Sequence, residues 1–249
     1  MNDLFNLTNK NIVLTGAEGL IGKAISNHLE NQCNNLIRVD IKRTSKNNFF
    51  CSDLSSEKDI NSLIETITKQ YVSIDVWINC HYPKNYHDWN SRPENFSNET
   101  FLAAFNDHVL SYYTCGRMAA ERMKESKIAG SIINFSSVFG LLSPNFSIYE
   151  NTNKFLNLAY PTLKGAITNM TKSLSTYYAP FDIRFNTISP GAIENNQPPN
   201  IRNYYISTTP LKRMAKPDDI AGTIVFLSSN ASKFITGQNI IIDGGYSSI

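Results

Sequence analysis

Tyr160 and Lys164 stand four positions apart and carry side chains with complementary acid–base chemistry. On a helix this spacing places the phenol and the ammonium on one face. A positive charge beside a phenol favours the phenolate, so the spacing predicts a tyrosine whose pKa is lowered. Such a tyrosine can exchange a proton with an alcohol or a carbonyl near neutral pH. The pair therefore indicates alcohol–carbonyl chemistry.

A glycine-rich segment near the N-terminus indicates a place for a dinucleotide. It follows an apolar β-rich run and precedes a helical pattern, which is the context that a pyrophosphate-binding turn requires. Gly16 would permit the tight turn, Gly19 would let backbone approach the pyrophosphate, and Gly22 would let the helix pack on the strand. The predicted cofactor-binding residues of this turn are Gly16, Gly19, Leu20, Ile21 and Gly22.

Asp40 ends the next apolar β-rich run and is the predicted ligand of the adenosine ribose. Its carboxylate would accept hydrogen bonds from the ribose hydroxyls and repel a 2′-phosphate, so the sequence favours NAD. Lys42 and Arg43 follow closely and offer positive charge to a 2′-phosphate, so NADP is not excluded; the alternative is that both lysine and arginine lie on a solvated turn.

The elements that must position these residues alternate between apolar strands and amphipathic helices. Strands are predicted at 11–15, 36–40, 75–79, 131–135, 181–189 and 239–243, and helices at 20–31, 59–70, 98–124, 161–178 and 216–228. This order predicts an α/β fold with a Rossmann-like, doubly wound parallel sheet flanked by helices on both faces. Residues 141–159 and 192–210 are predicted to be irregular, and long irregular segments of compact domains are commonly binding loops.

Length and composition limit the class of protein. The chain has 249 residues with 41% hydrophobic and 18% charged residues, which fits a single domain spanning 1–249 and argues against disorder. A net charge of +2 with scattered basic residues predicts neither nucleic acid nor membrane as a partner. No apolar run is long enough to span a bilayer and the start lacks a signal-peptide pattern, so a cytoplasmic location is predicted.

The cysteines and histidines show no metal-ligand spacing, and no metal is predicted. The four cysteines are expected to be reduced thiols, because a chain of this length does not need disulfides to fold.

Ordered motifs along nearly the full length give the chain a family resemblance. It resembles the short-chain dehydrogenase/reductases, compact type. The residues that carry the resemblance are Thr15, Gly16, Gly19 and Gly22, Asp53 and Leu54, Asn79, Ser136 and Ser137, Tyr160 and Lys164, Asn186 to Gly191, and Ile235 to Gly245.

The resemblance implies a role for each matching residue. Tyr160 would be the general acid/base, Lys164 would lower its pKa and bind the nicotinamide ribose, and Ser137 would hold the substrate oxygen. The implied cofactor contacts are Asp53 and Leu54 at the adenine, Asn79 in the cleft, and Pro190, Gly191 and Ile193 beside the nicotinamide, together with Tyr160 and Lys164. A homodimer or homotetramer is implied as well, formed through the long helices.

The chain departs from the family pattern at several positions. The glycine spacing is closer to that of the longer, sugar-nucleotide-modifying branch, and the segment that usually reads Asn-Asn-Ala-Gly is Asn79-Cys80-His81-Tyr82. His108 replaces a helix asparagine that helps to relay protons. A relay role for His108 and a bland role, in which its ring satisfies a backbone carbonyl, stay equally open. Ser137 and Tyr160 are also further apart than is usual, which enlarges the loop between them.

The expected substrate is small and polar, such as a sugar or sugar phosphate. The two irregular segments are rich in amides and phenols, which suit a ligand with many hydroxyls. The chain is also similar to oxidoreductases of bacterial surface-sugar pathways, including flagellin modification and nonulosonate biosynthesis. Two alternatives to a dehydrogenase are an NAD-using sugar-nucleotide epimerase or dehydratase and a non-catalytic NAD-binding regulator.

Overall fold

The computed structural model describes residues 4–83, 86–149 and 155–249. Its strands form one parallel sheet in the order β3-β2-β1-β4-β5-β6-β7. They are β1 (Leu7–Thr15), β2 (Cys33–Asp40), β3 (Phe49–Cys51), β4 (Val76–Asn79), β5 (Ser131–Phe135), β6 (Arg184–Pro190) and β7 (Asn239–Ile242). The strand order reverses between β1 and β4, and crevices at such a point bind ligands in doubly wound sheets. The Rossmann-like fold class is confirmed.

Seven α-helices connect the strands in the described part of the chain. They are α1 (Leu20–Leu29), α2 (Glu57–Tyr71), α3 (Asn98–Phe105), α4 (Ser111–Glu125), α5 (Ala159–Tyr178), α6 (Pro199–Thr208) and α7 (Asp218–Ser228). A π-helical segment, Asn106–Leu110, joins α3 to α4 without a break in the helix.

The alternation of side chains along a strand divides β1 between two apolar cores. Ile12 and Leu14 belong to the core that includes residues of α1 and α7, whereas Val13 belongs to the core that includes residues of α2 and α4. All three side chains are fully buried. Strands covered on both faces need apolar residues at successive positions, and this requirement explains the unbroken apolar run in β1.

Two elements differ from the sequence-based prediction. Residues 192–210 are not irregular throughout, because α6 covers Pro199–Thr208 and buries Ile201 and Tyr205 one turn apart. β3 was not predicted, because its three residues at the sheet edge are too few to show a strand pattern. None of the helices described is long and apolar enough to cross a membrane.

Candidate active site

The glycine turn packs closely against the end of β4. Gly16 has φ +68°, and a Cβ atom there would lie 2.6 Å from the Cα atom of His81. A Cβ atom on Gly22 would lie 2.0 Å from the carbonyl oxygen of Gly16. Larger residues at either position would push the turn away from β4 or α1 away from the turn. The turn is therefore tight, as predicted.

The N-terminus of α1 is open to an anion. Gly19 is the N-cap without a side-chain cap, and the first turn has no acidic residue. By contrast, Ser56 and Ser97 cap α2 and α3, and both of those helices begin with acidic side chains. An uncapped N-terminus leaves backbone N–H groups and the positive end of the helix dipole for a ligand. Leu20 is exposed and Ile21 packs on the core, so the turn fits a pyrophosphate.

Asp40 lies beside this turn and is held by backbone. Its carboxylate accepts hydrogen bonds from the N–H of Glu18, at 2.8 Å, and from the N–H of Lys42, at 3.0 Å. Asp53 is exposed and accepts from the N–H of Ser55, whereas Leu54 is buried.

Asn79 is a bracing residue in this structure. Its amide accepts from Trp77 Nε1 and donates to Asn134 Oδ1, both at 2.8 Å, and Asn134 in turn donates to Thr171 on α5 at 2.9 Å. The Asn79 side chain is fully buried and does not face solvent in the cleft. This network ties β4 and β5 to the helix that carries Tyr160.

Pro190 ends β6, and Gly191 and Ile193 follow it. The N–H of Gly191 donates to the carbonyl of Ile242 at 2.9 Å, and Ile193 forms a bridge with Ala215. They lie at the carboxyl ends of the strands, as the glycine turn does, because all strands of the sheet run in parallel.

The structure brings Ser137, Tyr160 and Lys164 together. Ser137 follows β5, and its hydroxyl lies close enough to the phenol of Tyr160 to lower the pKa of that phenol. The ammonium of Lys164 lies 5.8 Å from the centroid of the Tyr160 ring and donates to the carbonyl of Phe135 at 3.0 Å. The neighbouring Ser136 donates to the carbonyl of Lys164 at 2.7 Å, which fixes α5 against β5.

The pKa of Tyr160 moves in the opposite direction to the sequence-based prediction. Burial raises it, and the hydroxyl of Ser137 offsets part of the rise. Burial also lowers the pKa of Lys164, to about 8. The spacing argument failed because it treated both groups as solvated, whereas the ammonium is itself desolvated and engages a backbone carbonyl.

Asn157 is a site residue that sequence reasoning missed. Its side chain is buried, accepts from the N–H of Tyr160 at 2.9 Å and donates to the carbonyl of Trp89 at 2.5 Å. It thereby connects the start of α5 to the segment after β4. An asparagine shortly before a helix is a capping signal, and that signal could have identified it.

Tyr82 forms an aromatic wall beside Tyr160. Its ring meets Tyr160 edge-on at 5.9 Å, His108 at 4.9 Å and Trp89 at 6.4 Å between centroids. The Lys164 ammonium lies 5.4 Å from the Tyr82 ring centroid. Tyr82 is 40% exposed, so one part of the ring is open to a ligand.

His108 lies in the π-helical segment and is buried at 1% exposure. Its ring stacks on Trp89, with 5.8 Å between centroids and an interplanar angle of 6°. Its Nε2 atom has no hydrogen-bond partner among the described residues. Burial, together with the nearby charge of Lys164, lowers the pKa of His108 to about 3, so the imidazole is neutral at physiological pH. The π-helical segment places the His108 ring behind Tyr82. The relay role and the bland role that the sequence left open both stay predictions.

His81 is a second neutral histidine, and it is partly buried. Its Nδ1 lies 2.7 Å from the hydroxyl of Thr15 and its Nε2 lies 2.8 Å from that of Ser111. Burial lowers its pKa to about 3. It therefore links the glycine turn to α4.

These two histidines predict acid sensitivity of the fold. Both folded-state pKa values, about 3, lie below the ordinary value of 6.5, so the unfolded chain binds more protons between these limits. Stability is then retained above pH 6.5 and is lost as pH falls toward 3, by up to about 1.4 kcal/mol per pH unit for each histidine. Urea unfolding at several pH values measures this slope. His108→Asn should reduce the slope, and an unaltered slope would show that His108 does not contribute.

The two segments predicted to bind substrate share a separate apolar cluster. Its buried members are Ile148, Ile201, Tyr205 and Met214, with Tyr149, Tyr204 and Tyr246 packed against them. Asn145 donates to the hydroxyl of Tyr204 at 3.1 Å, so the segment after β5 is joined to α6. We refer to this group as the loop cluster. The polar residues Glu150, Asn151 and Asn153 lie outside the described residues.

Comparison with known proteins gives consistent similarities. A family model described as enoyl-(acyl carrier protein) reductase matches residues 19–247. Post-translational flagellin modification protein A of Campylobacter coli is 31% identical, over 96% of this chain and 99% of that protein. Glucose 1-dehydrogenase 2 of Bacillus subtilis is 26% identical, over 96% and 95%. A solved short-chain dehydrogenase from Leptospira borgpetersenii with bound NAD+ has a TM-score of 0.90 and 29% identity, covering 99% of this chain and 96% of that one.

Proposed function

This chain belongs to the short-chain dehydrogenase/reductase family, and we propose that it interconverts a secondary alcohol and a ketone on a polar, sugar-like substrate with NAD as the cofactor. The observation that carries the proposal is that Ser137, Tyr160 and Lys164 lie close together at the carboxyl ends of the strands, where the glycine turn also lies. The open N-terminus of α1 and the carboxylate of Asp40 support the dinucleotide.

The catalytic residues divide the proton chemistry. In the oxidation direction, the Tyr160 phenolate takes the proton of the substrate hydroxyl while Ser137 holds the oxygen. When bound, the nicotinamide supplies the hydride acceptor, or the donor in the reverse direction. Because burial disfavours the phenolate, a positive charge next to it is needed at the moment it forms. Lys164 provides that charge, and Phe135 holds its ammonium in place.

A sugar-like substrate is supported by the surroundings of the site. Asn145, Tyr149 and Tyr204 place an amide and phenols on the substrate side, and Tyr82 offers an open aromatic face. Polar groups of this kind orient hydroxyls, while a ring face packs against the carbon–hydrogen face of a sugar. Relatives named for glucose oxidation and for flagellin modification agree with a carbohydrate pathway.

A cytoplasmic setting agrees with four cysteines that are all free thiols.

The direct test is a spectrophotometric screen of the purified protein with NAD+ and NADP+. The panel should include D-glucose, other aldoses, sugar phosphates and nucleotide sugars, with lipophilic alcohols for comparison. We expect reduction of NAD+ with polar substrates. Turnover restricted to lipophilic alcohols would refute the substrate class. Conversion of a sugar without net change in nicotinamide absorbance would instead identify an epimerase or dehydratase.

We also propose that the chain forms a homodimer or homotetramer. Leu102, Phe105, Leu110 and Tyr113 are large apolar side chains on α3, the π-helical segment and α4, and all are exposed, Leu102 at 68%. Adjacent exposed apolar side chains favour association. Light scattering should give the mass of two or four chains, and the mass of a single chain at micromolar concentration would contradict the proposal.

A further inference from the structure

We propose that Glu18 is a second determinant of NAD over NADP, acting beside Asp40 by holding two lysines away from a 2′-phosphate. The inference rests on the proposed nicotinamide cofactor and concerns a residue to which the sequence pattern gave no role. It is carried by the position of Glu18, the contacts of its side chain and the charges around it.

Glu18 belongs to the glycine turn and is directly joined to Asp40. Its backbone N–H donates to Asp40 Oδ2 at 2.8 Å. Its side chain turns to two cations: Oε1 lies 2.7 Å from Lys46 Nζ, and Oε2 lies 3.5 Å from Lys23 Nζ. Both lysines are therefore held next to the place where the carboxylate of Asp40 would meet a ribose.

The burial of the three side chains shows that Glu18 is the fixed partner. Its side chain is 13% exposed, whereas those of Lys46 and Lys23 are 43% and 56% exposed. The hydrogen bond with Lys46 lowers the pKa of the Glu18 carboxyl, so it is ionised at neutral pH. A buried carboxylate with two flexible cations around it keeps those cations occupied.

The consequence concerns the extra phosphate that distinguishes NADP from NAD. With Glu18 in place, a 2′-phosphate meets two carboxylates, and the lysines nearest to it are already paired. Without the Glu18 charge, Lys46 and Lys23 become free to bind the phosphate, and Lys42 and Arg43 follow Asp40 closely in the sequence. Asp40 alone would then oppose four cations.

Glu18→Gln tests this because it removes the charge and keeps the size of the side chain. The binding of NADH and NADPH is measured by fluorescence titration, without substrate. We expect NADPH to bind about tenfold more tightly than it does to the wild type, a gain that salt reduces, with NADH changed less than about threefold. Adding Lys46→Gln to Glu18→Gln should remove much of the gain.

Glu125→Gln is the matched control. Glu125 is the last residue of α4 and pairs with Arg122 at 2.9 Å, so its replacement changes the net charge equally, on a helix that carries neither the glycine turn nor Asp40. It should leave the NADH-to-NADPH ratio unchanged. An equal gain in NADPH affinity in both variants would show that the effect comes from net charge alone. No gain in NADPH affinity in Glu18→Gln, with or without a loss of thermal stability, would show that Glu18 has only a structural role. Either result overturns the inference, whereas a wild type that binds neither dinucleotide overturns the proposed function itself.

Discussion

Tyr160→Phe is expected to lower kcat by roughly a hundred- to ten-thousandfold while the protein still binds NADH. The substitution removes only the phenolic hydroxyl and keeps the ring that packs edge-on against Tyr82. The fold and the aromatic wall therefore remain, and the proton donor is lost. Steady-state rates with the best substrate of the screen, together with NADH titration, separate chemistry from binding.

Tyr177→Phe provides the comparison for this variant. Tyr177 is on the same helix, α5, but it is 62% exposed and lies at the opposite end of the helix from Tyr160. The Tyr177→Phe variant should be as active as the wild type. If Tyr160→Phe kept more than about a tenth of wild-type kcat, the assignment of the acid/base to Tyr160 would be wrong, because a positioned general acid contributes at least about a hundredfold.

Gly22→Ala is expected to have the largest effect on the fold and on dinucleotide binding. The new Cβ atom would lie 2.0 Å from the carbonyl oxygen of Gly16 and 2.9 Å from the Cα atom of Ala17. Both contacts are with backbone, so the glycine turn or α1 must move. We expect a loss of at least about 2 kcal/mol in the free energy of unfolding, or failure to fold. Any folded fraction should bind NADH poorly. Urea unfolding and NADH titration measure the two effects.

Gly222 supplies a matched control within the same chain. It lies inside α7, and a Cβ atom added there meets nothing within 4 Å. Because alanine favours helix over glycine, Gly222→Ala should stabilise the protein by about 0.5–1 kcal/mol. Stability near the wild-type value together with normal NADH affinity in Gly22→Ala would contradict the close packing of the turn.

The sequence predicts most of the sheet because its strands are covered on both faces. The predicted strands 11–15, 75–79 and 131–135 are built around the apolar runs 12–14, 76–78 and 132–133, and they fall within or around β1, β4 and β5. The edge strand β3 is apolar too, but its three residues are too few to show a strand pattern. The helix α6 buries only Ile201 and Tyr205, so its amphipathic pattern is weak.

The candidate site was predicted best where spacing alone determines position. Four positions along a helix bring Tyr160 and Lys164 to one face, and Gly16 and Gly22 are required by a turn that the strand–helix order already implies. Long-range placement was not predictable: Tyr82, 78 positions before Tyr160 in the sequence, lies 5.9 Å from it between ring centroids. The pKa of Tyr160 was also beyond reach, because it depends on burial.

The loop cluster has a consequence for re-engineering this scaffold. Ile148 comes from the segment after β5, Ile201 and Tyr205 from α6, and Met214 from the chain beyond it, yet they share one apolar interior. A chimera in which only one of these segments is replaced by that of a relative would pack side chains that do not fit each other. Recombination that transfers residues 141–149 and 192–214 together should therefore give folded chimeras, whereas exchange of one segment alone should give unstable ones.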